Sequence, residues 1–99
     1  MTGLIIHPAV SDELVHFANW YRAIDYELAE RFLDEVYQSI RKAQETPLHY
    51  RIIENPYRRV LCESFPYRII FEVIESIQAV HIVAVTHQMR HPDHWKKRL

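Results

Sequence analysis

Arg68, His87, Arg90 and His94 are the side chains here best suited to acid–base or phosphate chemistry. Histidine titrates near neutrality and so passes protons at working pH. An arginine fork stays charged and matches the oxygens of a phosphate. One reaction that needs only these parts is cleavage of an RNA strand by its own 2′-hydroxyl. A base takes the hydroxyl proton, a cation steadies the pentavalent phosphorane, and an acid protonates the departing 5′-oxygen. The plainer reading of Arg68 is a solvent-facing charge paired with Glu63 or Glu72, since ion pairs of that kind are common.

Other chemistries find less support. His87, His91, Asp93 and His94 are a dense set of metal donors, but their spacing fits no zinc motif, so no metal and no cofactor are expected. Cys62 is the one cysteine, which excludes a disulfide framework and reads as a small buried apolar residue. A single glycine, Gly3, excludes a glycine-rich phosphate loop. Trp20-Tyr21 reads as packing. Trp95 can stack on a base, though capping a sheet is the commoner use.

Ninety-nine residues make one domain, 1–99, long enough to bury about two-thirds of the unfolded surface without staples. Residues 1–45 carry four Lys or Arg against eight acids, and residues 46–99 carry eight against five. That basic half is modest for a duplex-DNA binder, whose affinity arises mainly at phosphates. The start lacks the pattern of a signal peptide, and no run approaches ~18 apolar residues, so a cytoplasmic protein without membrane contact is expected.

The elements that must position these residues read in order. Leu4-Ile5-Ile6-His7 is a strand stopped by Pro8. Val10, Leu14, Phe17, Tyr21 and Ile24 form a helical stripe, with Ser11 as the expected N-cap. Leu28, Ala29, Phe32, Leu33, Val36, Ile40 and Ala43 form a second stripe that ends before Pro47. A break around residues 23–26 turns the two into an antiparallel hairpin. Residues 47–56 read as loop with a short extended piece. Three β-type runs follow, at residues 58–65, 67–75 and 77–86, and a short tail starts at Arg90. The fold class is α+β, ordered β-α-α-β-β-β, with the helical hairpin on one face of a largely antiparallel sheet.

A two-residue turn at Glu75-Ser76 would pair Ile74 with Ile77. Gln78, Val80, Ile82 and Ala84 then join Tyr67, Ile69, Phe71 and Val73 under the helices. His81, Val83, Val85 and His87 fall on the face of Arg68 and Glu72. Arg68 and His87 would then lie ~10–14 Å apart on one face, close enough for long side chains to bracket a phosphate.

This order of elements resembles the RelE/ParE superfamily of toxins from type II toxin–antitoxin systems, often described as plasmid stabilisation proteins. The resemblance rests on Ala18-Asn19-Trp20-Tyr21, Ala29-Glu30-Arg31-Phe32-Leu33, Arg59-Val60-Leu61, Phe65-Pro66-Tyr67-Arg68-Ile69-Ile70-Phe71, and the run from Val85 to Trp95. It implies one of two mechanisms. RelE-type members cut mRNA in the ribosomal A site, whereas ParE-type members bind and poison DNA gyrase. Both are suppressed by an antitoxin made alongside. In the RelE-type case the resemblance gives catalytic roles to Arg68, His87, Arg90 and His94, and substrate binding to Arg59, Trp95 and Lys96. RelE-type toxins usually carry a lysine-rich surface, whereas this chain has only Lys42, Lys96 and Lys97. The periodic helix pair is similar to the ParE side, so the leaning is to gyrase inhibition. A binding module of the same fold without toxicity is the third reading. For the antitoxin, an edge strand at Leu4–Ile6 or residues 58–65 and the acids of the first half would suit addition of a disordered basic segment.

Overall fold

Pro8 both ends the first strand and begins the first helix, because its fixed φ suits the first helical turn and its missing N–H is not needed there. The computed structural model describes residues 3–99. Strand β1 (Gly3–Ile6) leads into α1 (Pro8–Ile24). The N-cap of α1 is His7, whose Nδ1 accepts the Ala9 N–H at 3.0 Å, so Ser11 lies inside the helix rather than at its cap. One residue, Asp25, separates α1 from α2 (Tyr26–Glu45). Its N–H donates to the Tyr21 carbonyl at 2.9 Å and its carboxylate accepts the Glu27 N–H at 3.0 Å, so it closes one helix and opens the next.

After a 3₁₀ turn at Pro47–His49 come β2 (Ile52–Glu54), β3 (Tyr57–Leu61), β4 (Tyr67–Ile74) and β5 (Ala79–His87), then a second 3₁₀ turn at Glu75–Ile77 between β4 and β5 and a third at His94–Arg98. The sheet order is β1-β5-β4-β3-β2, with β1 parallel to β5 and every other pair antiparallel. Strand β1 is an edge, as expected. Residues 58–65 are not, because β2, formed in the stretch read mainly as loop, pairs outside β3. Gly3 is required by close approach: a Cβ there would lie 2.9 Å from the Ala79 Cβ and 3.0 Å from the Gln78 carbonyl oxygen.

The β4–β5 register departs from expectation in two steps. Ile74 pairs with Ala79, not Ile77, because Glu-Ser cannot supply a tight two-residue turn. The chain instead crosses through the Glu75–Ile77 turn, and Gln78 takes a left-handed conformation at φ 52°. Phe71 then pairs with Ile82, but Ile70 pairs with Ala84 and Ile69 with Val85, so Val83 is an extra residue in a bulge. From that point each side chain of β5 faces opposite to the regular ladder. Val85 enters the helix-side core with Ile69, Phe71, Val80 and Ile82. Val83 and Ala84 join Ile70 and Trp95 on the other face.

Between helices and sheet, Phe17, Tyr21, Phe32, Phe65 and Tyr67 form an aromatic cluster. Phe17–Tyr67 centroids are 4.7 Å apart, Phe32–Tyr67 4.9 Å and Tyr21–Phe65 5.2 Å. Tilted and edge-on pairs of this kind add about 0.5–1.5 kcal/mol each beyond the area they bury. From α2, Glu35 accepts the N–H groups of Ser64 at 2.7 Å and Phe65 at 3.0 Å and so holds the β3–β4 loop over the cluster.

Candidate functional site

The face of the sheet away from the helices carries a cleft of about 390 Å³. Its floor is β3 and β4, where Arg59 stands opposite Ile70 and Arg68 opposite Leu61. Strand β2 and the residue before it bring Glu54 and Arg51 to one side, and the tail brings Asp93, Trp95 and Lys96 to the other. Arg68 donates through Nε to Thr86 Oγ1 at 3.1 Å and through Nη2 to the Arg90 carbonyl at 3.3 Å, not to Glu63 or Glu72. Those two bonds aim the guanidinium while leaving donors for a ligand. Among the described residues Arg51 and Arg59 make no ion pair and no side-chain hydrogen bond.

Both carboxylates of the cleft are already engaged. Lys96 Nζ lies 2.6 Å from Glu54 and 3.0 Å from Asp93, and these bonds, Glu54 first, raise the pKa of its ammonium. Four cations against two acids leave the cleft positive in a chain whose net charge is −1. Trp95 lines the cleft as a wall, only 1% exposed. Its Nε1 donates to the Pro92 carbonyl at 2.7 Å and its ring meets Tyr57 edge-on at 5.0 Å, so its faces are filled by protein. Burial, then Glu72 and Glu54, raise the Tyr57 pKa and keep that hydroxyl protonated.

The expected cluster is thus divided. Arg59, Arg68, Trp95 and Lys96 meet in the cleft. His87 does not, because the bulge pairs it with Tyr67 and turns it to the helix side, its ring 5.2 Å from the tyrosine. Its Nδ1 accepts the Met89 N–H at 3.0 Å. There it borders an aromatic depression of about 450 Å³ with His16, Phe17, Trp20, Tyr21, Pro66 and Tyr67. Arg90 gives the cleft only its carbonyl, and its side chain lines a smaller hollow with His87 and His94. No histidine lines the cleft. It can therefore bind an anion such as a phosphate, but it holds no imidazole to move a proton. The sequence reading missed Arg51 and Glu54, and weighed Asp93 only as a metal donor. The apolar pair Ile52-Ile53 was the available signal for the strand that delivers the first two.

Two helices over a five-stranded mixed sheet make a RelE-like fold. The structure superposes on the isolated E. coli RelE toxin with a TM-score of 0.57 at 14% identity, covering 97% of this chain and 94% of that one. No curated protein matches the chain. The family model for the ParE toxin of type II toxin–antitoxin systems, parDE, matches residues 4–92, and the chain belongs to that family. Membership implies an antitoxin partner. Among the described residues no helix is long and apolar enough to cross a membrane.

Proposed function

We propose that the protein is the growth-inhibiting toxin of its module, that it acts in the cytoplasm by binding DNA gyrase, and that its cognate antitoxin neutralises it. The observation that carries this reading is the bulge: with His87 among aromatic rings, the arginine cleft holds no imidazole for proton transfer. Val15, Trp20, Ile24, Tyr26 and Tyr37 support binding as the mode of action, since all five are at least half exposed on the helical hairpin. Large exposed aromatic and aliphatic side chains suit protein recognition.

The test is gyrase supercoiling with purified protein, beside cell-free translation of a reporter with mRNA 5′ ends mapped. The expected result is loss of supercoiling with intact message, unchanged in Arg68→Ala and His87→Ala. A second reading, ribosome-dependent mRNA cleavage, is favoured by the three arginines of the cleft. New breaks within codons that need ribosomes and vanish in Arg68→Ala would replace the first reading with this one. Normal growth on expression without antitoxin would remove both and leave a binding module.

A further inference from the structure

The β5 bulge and the last 3₁₀ turn meet at one ion pair. Arg98 donates through Nη1 and Nη2 to the two carboxylate oxygens of Glu13 at 3.0 and 3.1 Å, across 85 residues of sequence. Both side chains are largely buried, at 19% and 15% exposure. Their other bonds reach the backbone at the bulge: Arg98 Nη1 donates to the Val83 carbonyl at 3.1 Å, and the Val85 N–H donates to Glu13 Oε1 at 3.1 Å. Strand β1 cannot serve these groups. Its pairing ends at Ile6 opposite Ile82, where the His7 N–H takes the Ile82 carbonyl. The ion pair stands where a neighbouring strand would be, and it satisfies a donor and an acceptor that a bulge otherwise leaves exposed.

We infer that Glu13 and Arg98 are positioning residues: as a pair they fix the register of β5, and so hold Thr86 under Arg68 and His87 away from the cleft. Continuing the Phe71–Ile82 register without a bulge would set Arg68 opposite Val85 and put His87 on the cleft face. The run Val83-Ala84-Val85 is apolar at every position, so alternation along the strand does not choose between the two ladders. The bonds to Val83 and Val85 exist only in the bulged one. Arg98 also lies one turn beyond Trp95, so the same pair holds the wall of the cleft in place. The functional weight of this lock rests on the proposed binding mode, but the register is read without any toxicity assay.

The experiment is NMR on the full chain carrying Glu13→Ala, Glu13→Gln or Arg98→Met. Glu13→Ala is expected to speed exchange of the Val85 amide roughly ten- to a hundredfold, the weight of a hydrogen bond to a charged group. Ring contacts between His87 and Tyr67 should weaken while contacts between His87 and Arg68 arise. Glu13→Gln, which still accepts from Val85, should keep most of the native pattern, and Arg98→Met should move in the direction of Glu13→Ala. Should Glu13→Ala not fold, Arg98→Met carries the same test. Unchanged His87–Tyr67 contacts in the variants that fold, or equal acceleration of every amide in the sheet, would overturn the proposal. Neither result bears on whether the wild-type chain inhibits gyrase.

Discussion

Trp95 carries two jobs at once, filling the core of the far face and walling the cleft, so its removal is expected to be costly. Trp95→Ala should lose about 3–5 kcal/mol, the range for large buried aromatics, read as a lower urea midpoint. Arg68→Ala removes the bonds to Thr86, a buried hydroxyl, and to the Arg90 carbonyl, and should cost about 1–3 kcal/mol. Any larger change in function would then reflect the cleft rather than the fold. Two buried acids set an alkaline limit. Burial pushes the Cys62 thiol above its ordinary 9.0, and burial, with the neighbouring Tyr21 hydroxyl, pushes the Tyr67 phenol well above 10.0. In each case the neutral form is favoured in the folded state. Their contribution is whole below the unfolded values and fades as pH climbs through the folded ones. Denaturation midpoints should therefore be steady near pH 8 and fall beyond about pH 9–10. Tyr67→Phe should shallow that fall.

Among the elements, Asp25 serves two helix ends, and Asp25→Ala should cost about 1 kcal/mol through the lost cap on α2, measurable by thermal melting. Gly3→Ala should cost about 1–3 kcal/mol, because the new methyl meets backbone and the Ala79 Cβ rather than a yielding side-chain tip. These elements also separate what sequence could tell from what it could not. The helix stripes were legible because Ala29, Phe32, Val36, Ile40 and Ala43 repeat at helical spacing and all are buried. Strands β4 and β5 were legible as runs rich in β-branched residues, and β3 as a shorter β-type run before them. Strand β2 has three residues, all of them exposed to some degree, so it has no alternation to detect. The faces of β5 were legible only as far as Ile82. Beyond it the outcome turns on Glu13 and Arg98, which no local window contains. That is why His87 was expected on the face of Arg68 but lies on the other, while the cleft gathers Arg59, Arg68, Trp95 and Lys96.

At the scale of the whole molecule, acids predominate in the helical half and bases in the sheet half, and the two proposed modes of action use different halves. Docking through the exposed apolar side chains of the hairpin, rather than through its acids, should give a gyrase affinity, measured by calorimetry, that changes little between roughly 50 and 200 mM salt. Recognition through the arginine cleft would fall steeply over the same range as counterions compete for phosphates. The topology has one more consequence, which concerns timing. Strand β1 is made first, yet its partner spans Ala79–Ile82 and Glu13 waits for Arg98. A nascent chain that has reached Ile74 holds both helices and four of the five strands, but nothing for Leu4-Ile5-Ile6 to pair with. Contacts of such long sequence separation form late and slowly. An emerging chain thus has an open sheet and no cleft wall until its tail is synthesised. The native sheet is completed only when β5 and the tail are made, leaving an interval in which a partner already present can meet the open edge.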